Sequence, residues 1–327
     1  MIIKRNYFYI IILSLLSYFF SMYISENYIS APFSDDNYFN DQEVYIDTWN
    51  LIENKNTFEA YDIYRSKYAS QEIFHFFYIH FLSLIGFTKN QAMSIANFSI
   101  VFFLLCIINK HFKPSILILI LIITNSYIFS YFFILERFKF AILFLILLIY
   151  FYENQKLRFI FFTLSVLSHF SILILYTVIY ISKFRDKNFF LGCNFKYKKK
   201  ILNNNFFFLL FIFIFIFIFY DHLLIKSYQL FHDNTLLSLI NSFKVFTFCV
   251  LTFFVSQKDK IEELIIQFMP LFFGAFIIEP SRIVGFAYFL FIYHFLQNYK
   301  NKKNFLLFFF INLYFSFKTI YMFIILL

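Results

Sequence analysis

Long apolar runs separated by short polar breaks repeat from one end of the chain to the other. A helix needs about 20 mostly apolar residues to cross the hydrocarbon core of a bilayer. The pattern therefore predicts spans near 7–24, 91–109, 114–132, 138–152, 205–220, 236–256, 261–278, 282–297 and 304–325. Two segments do not read as simple spans. The stretch 73–87 is short and holds His75 and His80. The stretch 157–182 is long for one helix and short for two, and His169 interrupts it in "LSVLSHFSILILY". The expected fold class is all-α. It is a polytopic integral membrane protein with nine full spans, a short helical hairpin at 157–182 and an interfacial or re-entrant helix at 73–87. The whole of 1–327 forms one transmembrane domain, and 25–72 is a polar outer loop within it, folded as one or two short helices.

Composition narrows the class. The chain is 61% hydrophobic and 14% charged, against about 25% charged in soluble domains. Four Gly and four Pro leave no room for a long flexible linker. Cys106, Cys193 and Cys249 lie far apart, which indicates neither a disulfide framework nor a zinc site. "MIIKRNYFYIIILSLLSYFF" has the basic start and apolar run of a signal peptide but no convincing cleavage signal, and reads as a retained first span. No internal repeat is evident, which argues against an inverted-repeat transporter.

The formal charge of +9 would suit a nucleic-acid partner, but its distribution does not. Lys and Arg accumulate on cytoplasmic loops. With 157–182 as a hairpin whose apex faces outward, most of the 28 basic residues fall inside, including Lys4, Arg5 and the "KYKKK" loop. A single crossing would move that loop outside. Ten of the 19 acidic residues fall in 25–72, on the outer side. The N-terminus is then cytoplasmic and His169 sits at an outer turn.

This topology gathers ionisable groups at one face. Asp35 and Asp36 follow the first span, Arg137 opens a span in "ILERFKFAILF", His169 caps the hairpin and Arg282 opens "SRIVGFAYF". Ionisable residues at membrane depth are costly and tend to mark function. Each has a structural alternative. Arg137 can snorkel to the headgroups, and Arg282 can pair with Glu279. His169 can donate to a turn carbonyl, and "SDD" can cap a helix. His75 and His80, five apart, do not share a helix face, so they are not read as a metal pair. Together, however, two arginines in a low-dielectric setting suit a pyrophosphate, because guanidinium is planar, permanently charged and bidentate toward phosphate oxygens. A nearby imidazole or carboxylate could take a proton from a sugar hydroxyl.

These motifs resemble the EpsG-like branch of the O-antigen polymerases (Wzy-type). The family's aspartate–tyrosine segment looks like "DDNYF" (Asp35, Asp36, Tyr38). Its span-opening R-x-x-x-A looks like "RFKFA" (Arg137 to Ala141), although Phe138 stands where many relatives have a polar residue. Its H-x-S looks like "HFS" (His169, Ser171), and its late arginine–tyrosine segment like "SRIVGFAYF" (Arg282, Tyr288). The resemblance implies a glycosyltransferase-type enzyme that polymerises undecaprenyl-pyrophosphate-linked oligosaccharide repeat units at the outer face of the bacterial inner membrane. The product would be O-antigen, capsule or exopolysaccharide. It implies catalytic roles for His169, Arg137 and Arg282, and substrate binding by Asp35, Asp36, Tyr38, Ser171 and Tyr288. No metal or other cofactor is expected. The expected partners are the lipid-linked oligosaccharide, the bilayer and a chain-length regulator, with no nucleic acid.

Two other readings stay open. One is a glycosyltransferase using a polyprenyl monophosphate sugar, with Asp35 or Asp36 as base or metal ligand. The other is a flippase for lipid-linked sugars, which the nearly charge-free span interiors disfavour, Lys244 and Lys318 excepted.

Overall fold

The computed structural model describes residues 2–27, 38–68, 73–133, 135–169, 172–185, 235–277 and 280–326. Every described element is helical. In chain order they are α1 (Ile2–Asn27), α2 (Tyr38–Ile52), α3 (Thr57–Tyr68), α4 (Ile73–Leu84), α5 (Lys89–His111), α6 (Ile116–Ile123), α7 (Ser126–Phe133), α8 (Glu136–Tyr150), α9 (Gln155–Ser168) and α10 (Ile172–Arg185). After them come α11 (Thr235–Val255), a 3-10 turn (Lys258–Lys260), α12 (Ile261–Ile277), α13 (Pro280–Gln297) and α14 (Lys302–Leu326). Two of these stretches, Lys89–His111 and Lys302–Tyr321, are long and apolar enough to cross a membrane by length and composition. The expected span at 205–220 and the "KYKKK" loop lie outside the described residues.

The chain forms two compact units. The first comprises Met1–Ile172 and Phe305–Leu327. In it α1 lies along α5, α5 along α8, and α8 along α9, while the short α2, α3 and α4 pack on one another. Buried Trp49, Tyr64, Phe76, Met93 and Phe140 form the core that joins these elements. Two helices thus occupy much of the 25–72 stretch, and α4 is a short helix inside 73–87, both in line with the sequence pattern.

The turn from α4 into α5 shows how local sequence sets the geometry. Gly86 has φ +83, a backbone state that side chains with a Cβ rarely adopt. Thr88 then accepts a hydrogen bond from the Gln91 backbone N–H, and the Gln91 side chain accepts one from the Thr88 N–H. This capping box fixes the start of α5 and places Lys89 at its first position.

One expected span is corrected. The stretch 114–132 is not one helix but two eight-residue helices, α6 and α7, parted at Thr124 and Asn125. Asn125 Oδ1 accepts from the Tyr127 N–H at 2.9 Å and so starts a new helix instead of continuing the old one. The groups freed by the break are satisfied from α14. Asn125 Nδ2 donates to Asn312 Oδ1 (3.0 Å), the Thr124 and Ser316 hydroxyls pair (2.9 Å), and the Thr319 hydroxyl donates to the Thr124 carbonyl (3.1 Å). A broken helix among apolar residues needs such internal partners.

The 157–182 stretch breaks where the pattern predicts. Asn154 caps α9 by accepting from the Lys156 and Leu157 N–H groups. The Ser168 hydroxyl donates back to the Leu164 carbonyl at 2.7 Å, a bond that weakens a helix end. His169 follows in extended conformation, φ −167 and ψ 125.

The second unit, Leu173–Asn304, contains most of α10 with α11, α12 and α13. Within it α11 packs along both α12 and α13.

Candidate functional site

The first unit buries an unusual number of ionisable groups where α8 begins. Glu136, the first residue of α8, is 3% exposed, and Lys139, one turn on, is 2% exposed. Lys89 Nζ lies 3.2 Å from Glu136 Oε2. His75 Nε2, from α4, lies 3.9 Å from Glu136 Oε1, close enough for attraction but too long for a hydrogen bond. A carboxylate facing Nε2 favours the proton on that nitrogen, so His75 Nδ1 accepts from the Tyr64 hydroxyl at 3.0 Å. Tyr64 is wholly buried.

Glu136 precedes the apolar stretch 138–152, so its charge state can be argued from its neighbours. Burial alone would raise its pKa. Lys89, His75 and Lys139 outweigh burial and hold the carboxyl well below the usual carboxylate range. Glu136 is therefore an ionised counter-charge, not a general base, since a base works best near the operating pH.

Arg137 is the next residue. Its Nε donates to the Tyr45 hydroxyl of α2 at 3.2 Å. Tyr45 is itself a junction: Lys89 Nζ sits 5.5 Å from its ring centroid and His75 meets it edge-on at 6.1 Å. On the following residue, Phe138 meets His169 edge-on at 5.2 Å between ring centroids. His169 is carried there by α9, whose Ser165 hydroxyl donates to the Ala141 carbonyl of α8 at 2.8 Å. Phe138, next to Arg137 in the chain, thus carries the contact with His169 near the start of α8. Arg137 and His169 are both partly exposed, in contrast to the buried Glu136 and Lys139.

The other expected site residues fall elsewhere. Arg282 and Tyr288 belong to the second unit. Arg282 is partly buried near the start of α13. The Tyr288 ring is fully buried against Phe248 (5.8 Å) and Phe291 (6.4 Å). Tyr38 is the first residue of α2. Asp35, Asp36 and Ser171 lie outside the described residues.

Sequence reasoning missed Glu136, Lys89, His75, Tyr64 and Tyr45. Arg137 drew attention away from the acid beside it, and the separation of Lys89 from Glu136 along the chain hides their pairing. The legible signal was Glu136, Arg137 and Lys139 together within an apolar run. His75 and His80 do part company as their spacing predicts. His75 turns to Tyr64, and His80 Nε2 lies 3.3 Å from the Thr57 hydroxyl.

The second unit holds a buried polar chain of its own. Lys260 Nζ is 3.1 Å from Glu263 Oε2, and Glu263 Oε1 accepts from Gln267 Nε2 at 2.9 Å. That fixes the Gln267 amide, whose oxygen faces His294 Nε2 at 2.8 Å. The imidazole proton is then on Nε2, and Nδ1 accepts from the Ser256 hydroxyl at 3.0 Å. A serine donating to an oriented histidine has the layout of an activated nucleophile. Ser256, however, directly follows the C-terminus of α11, where the helix dipole opposes new negative charge. The chain is a structural tie between α11, α12 and α13.

Comparisons with family models, with curated proteins and with solved structures return no match.

Proposed function

We propose that the chain polymerises polyprenyl-pyrophosphate-linked oligosaccharide repeat units in a bacterial inner membrane, as its likeness to the EpsG-like O-antigen polymerases implies. In this reading the chain crosses the membrane several times, with its chemistry at the outer face. An acceptor sugar hydroxyl attacks the anomeric carbon of the donor chain. The bond from that carbon to the pyrophosphate oxygen breaks, and His169 takes the hydroxyl proton. Arg137 stabilises the charge that develops on the leaving pyrophosphate, and the resemblance implies a role for Arg282 in the reaction.

The observation that carries the reading is that His169 packs on Phe138, the residue after Arg137, at the start of α8, where the Ser165–Ala141 hydrogen bond ties α9 to α8. Both Arg137 and His169 are partly exposed, and Arg137 directly follows Glu136, whose buried carboxylate pairs with Lys89. Buried ion pairs are costly to form, and ionisable groups in apolar surroundings mark functional sites more often than structural ones.

The test is polymerisation of a lipid-linked repeat unit by the reconstituted protein at equal expression of variants. Arg137→Ala and Arg282→Ala should reduce the ladder of products to the starting unit, and His169→Ala should shorten it. Near-wild-type ladders in all three would refute the assignments. Loss in Asp35→Asn or Asp36→Asn with tolerance at His169 would instead favour a monophosphate-sugar transferase.

A further inference from the structure

We infer that α4 turns one face, formed by Ile73, Phe77, Phe81 and Leu84, into the acyl chains of the bilayer. These positions recur every three or four residues, so they share one side of the helix. All four are exposed, Phe77 at 52% and Phe81 at 62%. His75, His80 and Ser83 of the same helix are buried. The Tyr78 hydroxyl also turns inward, donating to the Ala92 carbonyl of α5 at 2.7 Å. A surface helix of a soluble protein has the reverse arrangement, apolar side in and polar side out.

The surroundings of α4 identify what covers its apolar face. The Phe74 ring lies 4.5 Å from that of Phe144 and 5.8 Å from that of Phe140, between centroids, so α4 packs on the apolar run of α8. Only residues 85–88 separate α4 from α5, which is long and apolar enough to cross a membrane. A contiguous apolar face beside such helices marks a membrane contact. The carboxyl end of α4 suits that setting. With Gly86 in its left-handed conformation, the Gly86 N–H donates to the Ser83 carbonyl (3.1 Å) and the Phe87 N–H to the Leu82 carbonyl (3.0 Å). Hydrocarbon offers such carbonyls no partner, so they must be satisfied from within the chain. α4 then stands between lipid and the buried charges, since His75, on its other side, faces Glu136.

This inference rests on the membrane reading above and not on the enzymatic one. Full-length protein in phosphatidylcholine vesicles, with plain or dibrominated acyl chains, tests it by tryptophan emission, which bromine quenches on close approach. The wild type carries one tryptophan, the buried Trp49, whose emission serves as the baseline and should change little. Phe77→Trp and Phe81→Trp should each add emission that the brominated lipid removes and that iodide in the water leaves in place. Tyr314→Trp, at an exposed position of α14, controls for insertion and should also be quenched by the brominated lipid.

Quenching of Tyr314→Trp without quenching of the two α4 variants overturns the inference and leaves the membrane reading standing. In that case iodide quenching would show the face open to water, and protection from both quenchers would show it covered by protein. Insensitivity of all three variants to the brominated lipid overturns both.

Discussion

The two units solve the problem of buried polarity differently. In the first, charges of both signs converge: Lys89, Glu136, Lys139 and Arg137 lie within or beside one turn of α8, and aromatic hydroxyls are interposed. In the second, the groups form a line, Ser256–His294–Gln267–Glu263–Lys260, in which each partner orients the next and the ion pair stands at one end. A line of satisfied hydrogen bonds rigidifies three helices at modest electrostatic cost. A knot of charges is expensive to bury, and here a partly exposed arginine, Arg137, directly follows its central carboxylate. Cost without an evident structural return is what separates a candidate site from a brace.

Removing a member of each array should expose that difference. The largest effect is expected for Glu136→Ala. It takes away the carboxylate that Lys89 bonds and should cost about 3–5 kcal/mol, as for other broken buried pairs. Lys89→Ala in the Glu136→Ala background should cost much less than Lys89→Ala alone. Unfolding in detergent measures both, and additive costs would show that the pair is not coupled.

His294→Ala should cost about 1–3 kcal/mol, the penalty for buried hydrogen-bonding groups that lose a partner. It should leave product length in the polymerisation assay unchanged at equal folded protein. A shortened ladder would mean that the second array is more than a brace.

Thr88→Ala removes one half of the α5 capping box and should cost about 1 kcal/mol. Because Lys89 follows directly, pyrophosphate binding should weaken slightly alongside stability. Unchanged binding at lowered stability would detach the start of α5 from the site.

Much of the fold was legible in the pattern of apolar and polar positions. The starts and ends of α5, α8, α11, α12 and α13 fall close to the expected spans, since apolar length and flanking charge mark them. The break at His169 was legible because 157–182 fitted neither one span nor two. The break at Thr124 and Asn125 was not. Three consecutive polar residues in an apolar run can be tolerated inside a helix, and only the Asn125 cap and the partners on α14 decide otherwise. At the site, Arg137 and His169 stood out as ionisable groups in apolar surroundings. Glu136 and Lys89 did not, because their meaning lies in a tertiary contact between the starts of α5 and α8. His294 looked isolated because its partners, Ser256 and Gln267, come from other helices.

The most direct check is a single round of transfer from a labelled lipid-linked repeat unit in proteoliposomes, comparing wild type with Arg137→Ala. A measurable transfer rate that drops by about a hundredfold or more in the variant, as when a main source of transition-state charge stabilisation is lost, is the predicted result. Equal rates, with both proteins folded and inserted alike, would contradict the claim that Arg137 receives the leaving pyrophosphate.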